Sequence, residues 1–220
     1  MNRLSVLVRC VLGALVVALV AVTAGTPASA GSFEWTDAKD DATQFLQPQT
    51  EGMFDNEPAL DITKVTVASD DKAFVYTIHV AKASPTPSMN SGYFFRFQWT
   101  YAGAGFALRA GDFNGQQSMQ FRSTGDLVGF DLPCKDCSFK LNEADNTIAV
   151  TVPIASLIEG TAAADDPLAC PGCRTGEEPL PKLAKGAEFT ALNVSAQRYY
   201  LRVTPTADVS AAPDGSTFVL

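Results

Sequence analysis

From Ile62 onward, apolar and polar residues alternate with a period of two, the pattern of half-buried strands. Ile62, Val65 and Val67 are interleaved with Thr and Lys. After the turn-forming run Ser69-Asp70-Asp71-Lys72, the residues Phe74, Tyr76, Ile78 and Val80 alternate strictly, which predicts a hairpin. Tyr93, Phe95, Phe97, Trp99 and Tyr101 share one strand face, with Phe94, Arg96, Gln98 and Thr100 on the other. The small run Ala102–Gly105 interrupts the pattern and Phe106, Leu108 and Ala110 resume it. Asn114-Gly115 then marks a two-residue hairpin leading into Met119 and Phe121. Downstream, Leu127–Phe130 reads as a short strand. Phe139 and Leu141 are joined through a turn at Asp145-Asn146 to Ile148, Val150 and Val152. Phe189–Val194, Tyr199–Val203 and Phe218–Leu220 read as further strands, and Ile154–Ile158, after Pro153, as a single helical turn.

Strands at such short intervals with little helical periodicity predict an all-β fold. The expected architecture is an antiparallel β-sandwich of roughly eight to ten strands, jelly-roll or immunoglobulin-like. A strand face as aromatic as Tyr93–Tyr101 needs a second sheet to bury it. Two stretches fall outside the pattern: 36–60, rich in Asp, Gln and Pro, and 159–187, rich in Gly, Pro, Ala and acids. Both are expected as long loops, the second carrying a cysteine pair.

Composition adds compartment. Arg3 and Arg9 precede an apolar run from Cys10 to Gly25, and Ala28-Ser29-Ala30 supplies a small-x-small cleavage pattern. Residues 1–30 are therefore expected to be a secretory signal peptide, leaving 31–220 as one secreted or cell-surface domain with no membrane span. Loss of the two arginines moves the net charge from −8 to −10, which argues against a nucleic-acid partner.

Of five cysteines, four follow the leading segment: Cys134 and Cys137, then Cys170 and Cys173, each pair a C-x-x-C. An even count in an oxidising compartment points to disulfides. These form either within each pair, closing small rings, or across the pairs, stapling the loop to the sandwich. Four thiolates around one zinc are the alternative. In both readings the cysteines stabilise and do not catalyse.

Asp37, Asp40, Asp41 and Asp61 are the candidates for a calcium site, since extracellular modules bind calcium weakly through such acidic loops. No EF-hand spacing is present, and no cofactor is required by any motif. On the polar face opposite the aromatic stripe, Arg96 and Gln98, joined by Arg109 and Arg122 from neighbouring strands, form a candidate shallow binding surface. His79, the one histidine, lies on the alternate face of its strand and has no G-x-S-x-G partner. With no catalytic motif, the chain is expected not to be an enzyme.

The stretch Trp35-Thr-Asp37-Ala-Lys-Asp40-Asp41-Ala42, followed by Pro58-Ala-Leu60-Asp61-Ile62-Thr-Lys-Val65, resembles secreted β-sandwich domains of actinobacteria, with the architecture of DOMON and family-9 carbohydrate-binding domains. Asn146–Pro153, Gly186–Phe189 and Ala207-Asp208 add to the likeness. The resemblance implies the same sandwich and, at the acidic opening, calcium. Fold, and not substrate, is what this resemblance carries; with no catalytic motif in an exported sandwich, the expected function is a non-catalytic module binding an extracellular ligand, a glycan or another envelope component. A structural protein–protein interaction module is the alternative, and a carboxylate-based hydrolase a third reading.

Overall fold

The computed structural model describes residues 31–42, 57–84, 91–113, 116–123, 132–134, 136–165, 183–200 and 206–220. The leading segment 1–30, the strand expected at Leu127–Phe130, and Cys170 and Cys173 lie outside the described residues. Two antiparallel sheets face each other. One holds five strands in the order β1 (Ser32–Thr36), β2 (Ile62–Ser69), β3 (Ala73–Val80), β9 (Thr147–Pro153) and β8 (Ser138–Asn142). The other runs β11 (Thr206–Ala211), β10 (Glu188–Tyr200), β4 (Ser91–Tyr101), β5 (Ala104–Phe113), β6 (Gln116–Ser123) and β7 (Leu132–Pro133), and β12 (Thr217–Val219) also pairs with β10. The protein is an all-β sandwich, and α1 (Ile154–Asp165) packs against β9 and β3 of one sheet and β6 of the other.

The alternation read from sequence is what the sheets bury. Phe74, Tyr76, Ile78 and Val80 point inward from β3, and Ile148, Val150 and Val152 from β9. Across the interior, Phe97 of β4 packs on Phe74 and stacks on Tyr76, with ring centroids 5.4 and 5.1 Å apart. Trp99 stacks on Phe189 of β10 at 5.4 Å. Two bulges keep apolar residues inward where strict alternation fails. A register shift between Ile62 and Lys64 lets Ile62 and Val65, three apart, both face the core. A second, between Thr190 and Asn193, places Ala191 at φ 50° and turns both Phe189 and Leu192 inward. The β4–β5 hairpin turns on Ala102 (φ 50°) and Gly103 (φ 81°), the two left-handed residues of a type I′ turn.

Several expectations are corrected. The expected sandwich stands, with twelve described strands; the ones the alternation does not mark are β1, which buries only Trp35, β7, which has two residues, and β11, which turns Asp208 and Ser210 inward. The two strands read at Phe189–Val194 and Tyr199–Val203 are joined in one, β10, through Ala196 and the inward-facing Arg198. The single turn expected at Ile154–Ile158 is a 12-residue helix, carried on by the run Ala162–Ala164. It reaches into the region 159–187 expected as loop, just as β1 extends to Thr36 at the start of the other.

Tyr76 is 0% exposed and its hydroxyl has no hydrogen-bond partner, so burial holds the phenol pKa above its ordinary value. A buried, unpartnered hydroxyl costs about 1–3 kcal/mol, while the ring carries the packing. Tyr76→Phe is therefore expected to raise the thermal midpoint by about 2–12 °C, at about 2–4 °C per kcal/mol for a domain of this size. Tyr76→Ala is expected to cost about 3–5 kcal/mol. Reversible thermal unfolding of the two variants checks both; a lower midpoint for Tyr76→Phe contradicts the account.

Candidate functional site

Three segments converge where β1 and β2 of one sheet meet β11 of the other. Asp37 directly follows β1, Asp41 lies in the loop beyond it, Asp61 immediately precedes β2, and Asp208 is in β11. One carboxylate oxygen each from Asp41, Asp61 and Asp208 lie within 4.8 Å of one another. Asp61 is 0% exposed and Asp208 6%, while Asp41 stands at the surface. Backbone N–H groups aim the buried pair. Ile62 donates to Asp208 Oδ2 at 2.6 Å and Val209 to Asp208 Oδ1 at 2.7 Å. Asp40, in the left-handed region at φ 66°, donates its N–H to Asp61 Oδ2 at 3.0 Å. Asp37 is held by a relay across the sheets: the Trp35 indole N–H donates to Ser210 Oγ at 2.9 Å, and the Ser210 hydroxyl donates to the Asp37 carboxylate.

The cluster is electrostatically loaded. Burial, reinforced by the Asp37 and Asp41 charges, pushes the Asp208 carboxyl up to about 6. Burial, with Asp41 and Asp61 nearby, raises Asp37 as well, against the hydrogen bonds from Ser210 and Ala38. Asp61 Oδ1 and Asp37 Oδ2 are buried without a hydrogen-bond donor. Oxygens sharing one calcium at about 2.4 Å lie at most about 4.8 Å apart, so this spacing suits a single ion, and the two unpartnered oxygens supply spare lone pairs. The same group could in principle do acid–base work, having close carboxylates and one raised pKa. Asp61 and Asp208 are buried, which leaves Asp41 as the member of the group open to solvent.

Of the four residues expected to hold calcium, Asp41 and Asp61 are brought together and Asp37 sits beside them. Asp40 contributes its N–H to the neighbouring carboxylate. Asp208 joins them in the structure and is not among the expected four. Its signal was a charged residue and Ser210 at alternating strand positions, which marks a polar inward face.

The outer face of the seven-stranded sheet carries the expected polar surface. Register sets Arg96 opposite Arg109 and Arg109 opposite Gln120, and in the adjoining row Gln98, Ala107 and Arg122. Phe94, on this face, is only 6% exposed. A Cβ at Gly111 would collide with the Tyr93 carbonyl oxygen and fall 2.6 Å from the Phe94 ring, so only glycine fits beside them. The Arg109 guanidinium covers the ring, 3.7 Å from its centroid. A groove of about 360 Å³ runs alongside, bordered by Phe113, Gln116, Ser118 and Gln120.

Cys134 and Cys137 are joined in a disulfide with Cα atoms 5.7 Å apart, and both pack against the core. That is pairing within one C-x-x-C unit; joined sulfurs offer zinc no thiolate. His79 faces outward near Lys64 and Glu34, and burial, then the Lys64 charge, lowers its pKa. No helix among the described residues is long and apolar enough to cross a membrane. Compared with protein-family models, curated proteins and solved structures, the chain matches none.

Two outcomes are expected. In metal-free protein, raised carboxyl pKa values in the folded state mean that folding favours the protonated form. The contribution of this cluster to stability is then fully present near pH 4 and is lost as pH rises through about 6, where Asp208 loses its proton. Unfolding midpoints between pH 4 and 8, measured in chelator, check the sign. Non-reducing peptide mapping is expected to recover Cys134 and Cys137 linked to each other; recovery of either linked to Cys170 or Cys173 contradicts the pairing.

Proposed function

We propose that the protein is a non-catalytic, exported module that binds a carboxylate-bearing glycan on the outer face of its seven-stranded sheet and is braced by calcium at the Asp37/Asp41/Asp61/Asp208 cluster. The observation that carries the glycan reading is the Arg109 guanidinium held 3.7 Å over the Phe94 ring beside a groove of about 360 Å³. Neutral-sugar modules present a bare ring for stacking. Here the ring is covered, and a planar cation is what meets the ligand. A guanidinium fixed by stacking has lost little further freedom and can take a carboxylate through two parallel hydrogen bonds. Arg96 directly opposite concentrates positive charge on this face of a chain of net charge −8, and glutamines along β6 supply both donors and acceptors for hydroxyls. The leader at 1–30 supports export, and the resemblance at the acidic opening supports calcium.

The carboxylate cluster supports calcium through the spacing of its oxygens and the unpartnered Asp61 Oδ1. Extracellular sites of this kind bind calcium at about 10⁻⁴–10⁻³ M. At about 100 times that constant an ion stabilises the fold by about 2.7 kcal/mol, or about 5–10 °C in midpoint.

Binding to polygalacturonate, measured by affinity electrophoresis against neutral dextran, tests the glycan reading. Wild type is expected to be retarded by the acidic polymer alone. Arg109→Lys, which keeps the charge and loses the fork and the stack, is expected to weaken binding about tenfold; equal retardation by both polymers contradicts the reading. For calcium, Asp41→Asn removes a carboxylate from the exposed rim of the cluster. Its metal-free midpoint at pH 7 is expected to equal or exceed that of wild type, and its stabilisation by calcium to fall by at least half. A calcium response identical to wild type contradicts the site.

A further inference from the structure

The outer face of the five-stranded sheet takes no part in either site described above. The registers line up its outward side chains in three rows of five, one from each strand. From β1 to β8 the middle row runs Glu34, Thr66, Thr77, Ala149 and Lys140, and rows through Val75 and His79 lie on either side of it. None of these side chains is buried. Charge is confined to Glu34, Lys64 and Lys140, on the outer strands β1, β2 and β8. The centre, from β3 and β9, is threonine, valine and alanine with one histidine. Threonine and valine are stiff at χ1, so this centre loses little side-chain freedom when it is covered.

The positions of the three charges fit a second copy of the same face, and they select its orientation. Two twofold axes lay one such face on another. An axis across the strands sets β1 on β1 and β8 on β8, and so opposes Glu34 to Glu34 and Lys140 to Lys140. An axis along β3 sets β1 on β8 and β2 on β9. Glu34 of each copy then faces Lys140 of the other at the two ends of the middle row. Between them Thr66 meets Ala149 and Ala68 meets Thr151, a larger side chain on a smaller one. The His79 rings meet uncharged at neutral pH, since burial and then the Lys64 charge hold their pKa below the ordinary value. Rotation about a strand also carries a twisted sheet onto one of the same twist, so the two surfaces stay parallel. Glu34 is 61% exposed and bonds Lys64 at 2.7 Å; a carboxylate has about four acceptor positions, enough to bridge two lysines. Strands about 4.8 Å apart and alternate residues about 6.8 Å apart make the array about 24 by 20 Å. Two of them cover roughly 1,000 Å² in all, the lower bound for specific association.

We infer that the protein forms a twofold dimer through the outer face of its five-stranded sheet, about an axis along β3 that brings Glu34 of each copy to Lys140 of the other. The seven-stranded sheets lie on the far sides of this dimer and point apart, so the inference does not rest on the glycan reading.

Sedimentation equilibrium of the exported chain, residues 31–220, at neutral pH tests it. A monomer–dimer equilibrium is expected, with a dissociation constant of roughly micromolar order for an interface of this size. Thr77→Arg sets two like charges against each other on the axis and is expected to leave a folded monomer. Glu34→Lys and Lys140→Glu are each expected to weaken the dimer at least about tenfold, because each opposes like charges. The double variant, which exchanges the two charges, is expected to restore it. Should Thr77→Arg fail to fold, the charge variants at the exposed Glu34 and Lys140 carry the test. A monomer throughout the micromolar range, a dimer that a folded Thr77→Arg leaves unchanged, or a double variant no tighter than the single ones each overturns the inference.

Discussion

Burial of the aromatic face of β4 is the constraint on which the rest of the structure depends. Phe95, Phe97 and Trp99 project from alternate positions, and Phe97 meets Phe74 and Tyr76 of the opposite sheet within ring-contact distance. A one-residue slip in the β4–β10 or β4–β5 ladder would turn this face to solvent and drive Arg96 and Gln98 into the core. The register that saves the core therefore also assembles the outer surface. Arg96, Arg109 and Gln120 align in one row because their inward neighbours cannot be anywhere else. The polar outer face is in this sense a by-product of hydrophobic packing, tuned by one glycine, Gly111, that makes room for Phe94 and through it for the Arg109 stack.

Where the inward face turns polar, the sandwich compensates with connected groups. Asp208 and Ser210 of β11 would be costly inside unless satisfied. Two backbone N–H groups reach Asp208, and the Trp35 indole and the Asp37 carboxylate both engage Ser210. Arg198 of β10, also inward, is joined to Glu57, which holds Tyr93. Both networks connect a strand to a segment outside the ladders, residues 37–42 in one case and Glu57 in the other. Removing one partner leaves a buried charge behind, which is why such pairs matter more for where loops attach than for net stability.

These polar positions also explain what could be read from sequence and what could not. Strands β2 to β5 and β9 were legible because apolar alternation is a local signal and their inner faces obey it at Phe74–Val80, Tyr93–Tyr101 and Ile148–Val152. β11 was missed because Asp208 and Ser210 occupy the positions where an apolar residue was sought. β10 was cut in two because Arg198 breaks the same rule. The acidic opening was legible as a group near the start of the domain, yet its most deeply coupled member lies 147 positions beyond Asp61, on the opposite sheet. Period and composition carry no information about that approach, which depends on which edge strands end up facing each other. The rows of Arg96, Gln98, Arg109 and Arg122 could be anticipated, since hairpin pairing fixes them locally. The covering of Phe94 by Arg109 could not, because it depends on the space above Gly111.

The carboxylate cluster has two ways of losing its mutual repulsion, and they compete for the same oxygens. A proton on Asp208 or Asp37 removes one charge and leaves the backbone hydrogen bonds to the carboxyl groups in place. A divalent ion offsets two charges and needs those protons gone, so binding it releases protons and strengthens as pH rises. The outcome in either case is that residues 37–42 stay attached to the sandwich edge, closing β1 and β2 against β11. Neutral solution without the ion is the condition in which neither remedy operates. The edge should then loosen first at the exposed Asp41, while Asp61 and Asp208 are still held by the N–H groups of Asp40, Ile62 and Val209. On the reading of an exported domain, that would make edge closure respond to the ionic content of its surroundings without any change in the aromatic core.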